Sequence, residues 1–299
     1  MKSYKLAALV LFISFFSSCK KSDNSGGGTT NPVTAQTILN VSYGSDALQK
    51  MDIYLPANRT TASTKVIVLI HGGGWSTGDK NDFSTVQIGM VIIDSLKTRF
   101  PDFAIFNINY RLSNGTANLF PTQENDVKAA VQFIFDHAAQ YVISSKYVFI
   151  GESAGAHLAM LQGYKYSTPL RPKAIVSLFG PTDLTDMYNN PAGTTPAVTQ
   201  LVLAQTIGAI PTTNAALYTS SSPITYITLS APPTIFLHGG SDPIVSPSQS
   251  ATAKNKLTTA GVAAQYVLYP GKGHGDDWGD AIYKDAFNNI QAFVTANVQ

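Results

Sequence analysis

Apolar runs alternate with amphipathic segments along most of the chain. Runs rich in β-branched and aromatic residues predict buried strands, and apolar residues spaced three and four apart predict helices. The predicted strands lie near 66–70, 103–108, 147–150, 174–179, 233–238 and 264–269. The predicted helices lie near 84–98, 124–139, 153–163, 247–260 and 280–296. Because strands that alternate with helices pair in parallel beneath two helical layers, the pattern predicts an α/β fold with a mostly parallel sheet.

Residues 183–222 interrupt this alternation. The segment is rich in Thr, Asn and Pro around an apolar stretch from Val198 to Ile210. We interpret it as a small cap over the functional site, and the alternative is a plain excursion along the surface. The segment is short and fairly polar, which argues against the large apolar lid expected of a lipase for long acyl chains.

The first residues are typical of a bacterial lipoprotein signal, which we place at 1–18. Lys2 and Lys5 precede an apolar run over residues 6–16 that is too short to span a bilayer. Small residues then precede Cys19, the single cysteine of the chain. We interpret Cys19 as a lipidation site, and the alternative is an ordinary secretory signal with a coincidental cysteine.

This interpretation predicts an exported protein, held at a bacterial membrane by lipid alone, with its chemistry facing the periplasm or the cell exterior. After the cysteine, residues 19–38 are rich in Gly, Ser, Thr and Asn, a composition that cannot bury enough apolar surface to become ordered. We expect a flexible tether there and one folded domain over residues 39–299. That length suits a single α/β domain with a sizeable core.

The amino-acid composition limits which partners and cofactors we expect. The 299 residues include 44% hydrophobic and 13% charged side chains, with a formal net charge of +2. Because nucleic-acid binding requires clustered Lys and Arg, this near-neutral balance gives no reason to expect a nucleic-acid partner. The sequence has no His-Glu-x-x-His motif, no paired cysteines and no carboxylate-rich loop with the spacing of calcium ligands. We therefore predict neither a metal site nor a cofactor.

The strongest chemical motif is Gly-Glu-Ser-Ala-Gly at 151–155, which follows a predicted strand and precedes a predicted helix. A serine on such a sharp turn has its hydroxyl exposed, and the helix N-terminus offers backbone N–H groups to a developing oxyanion. Ser153 is therefore the candidate nucleophile, and the alternative is an ordinary helix N-cap.

Two further segments can complete this chemistry. Residues 72–74 are consecutive glycines after a predicted strand, and bare N–H groups there can point into a cleft. Asp242 follows a buried-strand pattern that ends in a glycine turn, and His274 lies in a glycine-rich loop after the last predicted strand. Among the five histidines, His274 alone has this setting, so it is the candidate base. Alternatives for the acid are Asp183, Asp186, Asp276 and Asp277.

The remaining histidines near these motifs have structural interpretations. His71 is expected to brace the glycine loop by hydrogen bonds. His157 falls one helical turn after Ser153, where a packing role is expected. His238 ends a buried strand and is expected to be structural as well.

From about residue 40 to the C-terminus, the chain resembles the α/β-hydrolase esterases, closest to their hormone-sensitive-lipase-like and acetyl-xylan/feruloyl esterase branches. Residues 43–56 resemble the opening hairpin of that family. Tyr-Arg-Leu at 110–112, with Phe-Pro at 120–121 and Asp126, resembles a second motif, and the chain order Ser, Asp, His also agrees. Ser-Asn-Gly at 113–115 departs from the Ala-Pro-Glu of many relatives, which loosens the assignment to the hormone-sensitive-lipase branch.

The resemblance implies an α/β-hydrolase fold and a role for each candidate residue. Ser153 would attack an ester carbonyl, His274 would accept its proton, and Asp242 would orient the imidazole. The oxyanion would be held by the backbone N–H groups of Gly73, Gly74 and Ala154.

A serine hydrolase of carboxylic esters is thus the predicted function. The expected substrates are short acyl esters and acetyl or feruloyl esters on carbohydrates, with Trp75 and Trp278 as candidate walls of the binding site. Trp75 can equally pack beneath the oxyanion loop, and Trp278 at the start of a helix. The alternatives are a serine peptidase of the same fold and an inactive α/β-hydrolase that serves as a surface binding module.

Overall fold

The computed structural model describes residues 33–83 and 92–299. The predicted export signal, Cys19 and most of the predicted tether lie outside the described residues, as does the first half of the helix predicted at 84–98. Within the described ranges, no helix is both long and apolar enough to cross a membrane.

One sheet forms the centre of the described domain. Its strands are β1 Gln36–Ser42, β2 Lys50–Leu55, β3 Lys65–Ile70, β4 Phe103–Ile108, β5 Tyr147–Glu152, β6 Ala174–Leu178, β7 Thr234–Gly239 and β8 Ala264–Tyr269. They lie in the order β1-β2-β4-β3-β5-β6-β7-β8. The pairs β1–β2 and β2–β4 are antiparallel, and all the others are parallel. The prediction of a mostly parallel sheet is confirmed.

Helices cover both faces of this sheet. They are α1 Ile92–Arg99, α2 Thr122–Asp136, α3 Ala138–Tyr141, α4 Ala154–Lys165, α5 Leu184–Asn189, α6 Pro196–Ile207, α7 Ala215–Ser220, α8 Pro247–Thr259 and α9 Gly279–Asn297. Strand β3 shows why both faces are apolar. Val66, Val68 and Ile70 pack into the core on the side of α2, α4 and α8, whereas Ile67 and Leu69 pack into the core beneath α1 and α9.

The folded domain begins earlier than the sequence predicted. The tether was expected to extend to residue 38, but β1 begins at Gln36 and pairs with β2. Most of the β1 side chains are exposed, including Ile38 and Leu39. Because the strand buries little of either face, it lacks the apolar alternation by which strands are predicted. Backbone pairing with β2 orders it instead.

The segment predicted as a cap is largely helical, because it contains α5, α6 and α7. Its Thr, Asn and Pro residues concentrate in the two connections 190–195 and 208–214, so α6 itself is apolar. Leu203 and Ile207 of α6 are buried, whereas Val198 and Leu201 are exposed. The apolar stretch noted from Val198 to Ile210 thus corresponds to α6.

A buried ion pair joins the first hairpin to the chain that follows the glycine loop. Lys80 Nζ lies 3.0 Å from Asp52 Oδ2, and both side chains are less than 5% exposed. Asp52 Oδ1 also accepts a hydrogen bond from the backbone N–H of Asn40, at 2.7 Å. Desolvation of such a pair is offset only while both charges are present.

Replacing Asp52 with Asn should therefore destabilise the protein strongly, because it leaves the Lys80 ammonium buried without its counter-charge. We expect a loss of about 3–5 kcal/mol in the free energy of unfolding, measured by denaturant titration. Asp102→Asn is the control, because the Lys65–Asp102 pair spans 3.5 Å and Asp102 is 61% exposed. The control should lose less than about 1 kcal/mol. Equal losses in the free energy of unfolding for the two substitutions would show that the buried pair stabilises the protein no more than the exposed pair does.

Candidate active site

Ser153 lies on a strained turn between β5 and α4. Its backbone has φ +49° and ψ −119°, and its side chain makes no capping hydrogen bond to α4. Glycine is required on both sides of the turn. A Cβ at position 155 would collide with the carbonyl oxygens of Ile70 and His71, and a Cβ at 151 would collide with the backbone of Gly155. The interpretation of Ser153 as an ordinary N-cap is thus wrong, and the strained backbone leaves its hydroxyl free of the helix.

The structure brings Ser153, His274 and Asp242 together. His274 Nε2 lies 2.8 Å from Ser153 Oγ, and His274 Nδ1 lies 2.6 Å from Asp242 Oδ2. The His274 side chain is 13% exposed, whereas that of Asp242 is fully buried. An ionised Asp242 accepts a hydrogen bond from Nδ1–H, which leaves Nε2 as the acceptor for the serine hydroxyl. The carboxylate that forms a hydrogen bond with the His274 ring is that of Asp242, not that of any alternative aspartate.

Asp242 is held as a carboxylate. Its Oδ1 accepts hydrogen bonds from the backbone N–H groups of Ile244 and Val245, at 2.8 and 2.9 Å. Burial alone would raise the pKa of Asp242, but the hydrogen bonds from His238, His274 and Val245 outweigh it and hold that pKa well below its usual range. The carboxylate is therefore ionised throughout the neutral range.

The glycine loop after β3 faces Ser153. Gly73 and Gly74 have φ values of +93° and +57°, and a Cβ on Gly73 would collide with the carbonyl of Thr77. The backbone N–H of Gly72 faces the Glu152 carboxylate and lowers its pKa. The N–H of Ala154 is the first of α4, so it has no acceptor within the helix. That Gly73, Gly74 and Ala154 donate to an oxyanion stays a prediction.

Aromatic rings and the neighbouring loops support this arrangement. The His71 ring stacks on Tyr110 with 4.3 Å between the centroids, and its Nδ1 lies 2.9 Å from Gly72 O. The Tyr110 hydroxyl donates to the same carbonyl at 2.8 Å. Phe179, at φ +42°, places its ring 4.6 Å from the His274 ring. The glycine loop and the imidazole are each braced from one side.

A cavity of about 520 Å³ opens above Ser153. Its apolar wall comes from Phe179, Met187, Val198, Val202 and Ile244, so α6 and the acid loop enclose it from one side. Glu152, Asp276 and Tyr283 line a more polar side, and no Lys or Arg is among the described residues that line the cavity.

The two tryptophans predicted as walls behave differently from the prediction. Trp278 does not line the cavity: it is 1% exposed, its Nε1 donates to Gly273 O at 3.0 Å, and it packs against Tyr269 and Phe179. Its substrate-binding role is therefore wrong, and it supports the His274 loop from behind. Trp75 borders the cavity but is only 3% exposed. Its Nε1 donates to Nδ1 of His157 at 3.3 Å, so the indole mainly packs beneath the glycine loop.

The BD-FAE family profile matches residues 51–257, which is more than half of the chain. This chain belongs to the BD-FAE family. It is 28% identical to the esterase LipQ of Mycobacterium tuberculosis over 230 residues, which are 71% of this chain and 50% of LipQ. The BD-FAE chain spans about half the length of the curated relatives it matches.

Two solved structures are similar to this BD-FAE protein. A truncated form of a carbohydrate esterase from gut microbiota is 27% identical, with a TM-score of 0.74 over 91% of this chain and 99% of that one. A bifunctional GH43-CE protein of Bacteroides eggerthii is 29% identical, with a TM-score of 0.73 over 88% of this chain and 38% of that one. The sheet order and these superpositions confirm the predicted α/β-hydrolase fold.

Several residues at the BD-FAE site were not predicted from the sequence. Phe179 and the α6 residues Val198 and Val202 carry no motif, because an apolar side chain beside a cavity has the same sequence pattern as one in the core. His238 was expected to be only structural, yet its Nε2 lies 3.2 Å from Asp242 Oδ2. Its position four residues before Asp242 was the available signal.

Glu152 gives the BD-FAE site a second carboxyl group, which is half-buried beside the cavity and whose pKa is shifted in the opposite direction to that of Asp242. Burial raises its pKa from 4.5 to about 7, against the opposing effects of the Gly72 N–H and of His274. Between these two pH values the folded protein keeps a proton that the unfolded chain releases. Its stabilising contribution is therefore complete below about pH 4.5 and is lost as the pH rises through about 7.

Glu152→Gln removes this titration, so the variant should gain stability relative to the wild type as the pH is raised from 4.5 to 8. We expect a relative gain of about 1–3 kcal/mol in the free energy of unfolding, measured by denaturant titration at both pH values. Asp136→Asn, at an exposed position on α2, is the control and should show no such trend. A Glu152→Gln difference that is the same at both pH values would contradict the half-buried, raised-pKa carboxyl.

Proposed function

We propose that this BD-FAE protein is a carboxylic ester hydrolase in which Ser153 is the nucleophile. The observation that carries the proposal is the continuous hydrogen-bonded chain from Ser153 Oγ through His274 to Asp242, at 2.8 and 2.6 Å, on the floor of the cavity. The free N–H groups of the facing glycine loop supply the other half of an acyl-transfer site. The esterases among the similar proteins support the same reaction class.

The geometry supports a two-step reaction. Ser153 Oγ attacks the ester carbonyl carbon while its proton moves to His274 Nε2, and the carbonyl oxygen becomes an oxyanion near the N–H groups of Gly73, Gly74 and Ala154. Collapse of this intermediate breaks the bond to the alcohol oxygen, which takes the proton from Nε2. Water then attacks the acyl-serine with His274 again accepting a proton, and the acid and the free serine are released.

For the substrate, we propose acetyl or feruloyl esters on carbohydrates. The family name stands for bifunctional feruloyl/acetyl esterase, and one similar solved structure is a carbohydrate esterase. A cavity of about 520 Å³ is large enough for an aromatic acyl group beside a sugar. Its apolar wall suits the acyl part, and its polar side offers acceptors for sugar hydroxyl groups.

Ser153→Ala should remove nearly all activity and leave the fold intact. We expect the kcat for p-nitrophenyl acetate to fall by more than about 10⁴-fold, because no acyl-enzyme can form. Ser63→Ala, at an exposed position, is the matched control and should keep full activity. A fluorophosphonate should label the wild type and Ser63→Ala but not Ser153→Ala.

The same assay separates the rival functions. Feruloyl and acetyl sugar esters, longer acyl esters and peptide anilides are compared with the wild-type enzyme. Cleavage of anilides in preference to esters would favour a peptidase, and no turnover of any substrate would favour a binding module. A Ser153→Ala variant that retains esterase activity would eliminate the proposed nucleophile.

We further propose that the protein is exported by residues 1–18 and anchored by lipid on Cys19. The composition of the first residues supports this, as described above. With lipid attached, the full-length protein should sediment with membranes and be released by detergent but not by salt. Cys19→Ala should be recovered as a soluble or uncleaved protein. A processed Cys19→Ala protein that still sediments with membranes would contradict the anchor and place lipid binding on another part of the chain.

A further inference from the structure

We propose that His238 is a positioning residue for this reaction: it fixes the orientation of the Asp242 carboxylate that serves His274, and Ser250 in turn fixes the tautomer of His238. The inference rests on the proposed function of the Ser153, His274 and Asp242 site. It extends the hydrogen-bonded chain by two residues into the core.

The placement of His238 is the first observation. It lies near the end of β7, and its Nε2 is 3.2 Å from Asp242 Oδ2 and 3.0 Å from Val245 O. Asp242 Oδ2 is the same oxygen that accepts from His274 Nδ1 at 2.6 Å. The side chains of His238 and Asp242 are both fully buried, so water does not compete for these contacts.

The acceptors around the ring determine its tautomer. Nε2 faces a carbonyl oxygen and a carboxylate oxygen, both of which only accept, so Nε2 must carry a hydrogen. Nδ1 of the neutral ring is then an acceptor, and Ser250 Oγ lies 2.7 Å from it. Ser250 on α8 is fully buried and donates its hydroxyl hydrogen to Nδ1. Both ring nitrogens are thereby satisfied with the ring uncharged.

With His238 included, both oxygens of the Asp242 carboxylate are held. Oδ1 accepts from the N–H groups of Ile244 and Val245, and Oδ2 accepts from His274 Nδ1. The Nε2–H of His238 donates to Val245 O and also lies against Oδ2, with 3.2 Å between Nε2 and Oδ2. Rotation of the carboxylate would break contacts at both oxygens together. Loss of the His238 N–H frees one side of Oδ2 and leaves the Val245 carbonyl without this donor.

This loss has two effects that a packing defect does not produce. Oδ2, relieved of one donor, becomes a stronger acceptor for His274 and stabilises its protonated ring, so the ring titrates at higher pH. The carboxylate also gains rotational freedom, so His274 is less often in the orientation that accepts the serine proton, and kcat falls while KM changes little.

The test compares four variants. His238→Leu removes the donor, and His238→Gln keeps an amide N–H that can reach the same oxygen. Ser250→Ala leaves the tautomer of His238 unselected. Thr234→Val is the matched control, because Thr234 is a fully buried polar residue at the other end of β7, hydrogen-bonded to Tyr164 at 2.8 Å.

We expect His238→Leu to lower kcat for p-nitrophenyl acetate by roughly 10- to 100-fold, with KM within about threefold of the wild type. The acid limb of its kcat/KM profile should move up by roughly 0.5 to 1 pH unit. His238→Gln should recover most of the rate, and Ser250→Ala should lie between the two. Thr234→Val should lose stability but keep the wild-type pH profile.

Nuclear magnetic resonance of the His274 ring supplies a readout that needs no turnover. Its titration midpoint should move to higher pH in folded His238→Leu, and the low-field signal of the Nδ1–H proton shared with Asp242 should change. A folded His238→Leu with wild-type kcat and an unmoved midpoint overturns the proposal. So does a rate loss matched by Thr234→Val. A wild type that cleaves no ester would instead refute the proposed function, and the midpoint would still test the role of His238.

Discussion

The close backbone approach between the turn at 151–155 and the end of β3 is the constraint on which the site depends. Because β3 and β5 are parallel neighbours, with Ile70 paired to Gly151, both chains leave the sheet at the same edge. Gly155 then passes so near the carbonyls of Ile70 and His71 that no side chain fits. This contact places the first N–H of α4 beside the glycine loop. The proposed nucleophile and the proposed oxyanion donors therefore occupy one small volume without any contribution from residues 183–222.

The proposed base and acid reach this volume from the other half of the sheet. β7 and β8 are adjacent, and the loops that follow them supply Asp242 and His274. β6 lies between β5 and β7, and Phe179 at its end fills the space against the His274 ring. The parallel order of the strands thus does more than support a core. It brings three loops, distant in sequence, to one edge, where each carries a single chemical group.

The sequence predicts a part of the molecule well where the same physical constraint sets both the local residue pattern and the local structure. The buried strands β3 to β7 have apolar runs because both faces of the sheet are covered there. Ser153 has glycines beside it because of the steric contact at β3. The direction in which a side chain points leaves no such pattern in the sequence. Trp278 has the apolar character and the closeness to His274 in sequence that are expected of a residue lining the binding site. Its indole nevertheless packs behind the His274 loop. The mostly exposed strand β1 was not predicted, because backbone pairing with β2 orders it more than the burial of an apolar face does.

Two carboxyl groups in one site, one buried and one half-buried, are held in different protonation states. Asp242 accepts hydrogen bonds from Ile244, Val245 and His274, lies 3.2 Å from His238 Nε2 and is ionised, which would favour a protonated His274 in the proposed reaction. Glu152 is half-buried and its desolvation outweighs the effect of the Gly72 N–H, so its pKa of about 7 leaves much of it neutral. A second full negative charge beside the glycine loop would oppose an oxyanion there. The few hydrogen-bond donors around Glu152 keep it partly neutral, and this matters as much to the site as the several donors that keep Asp242 ionised.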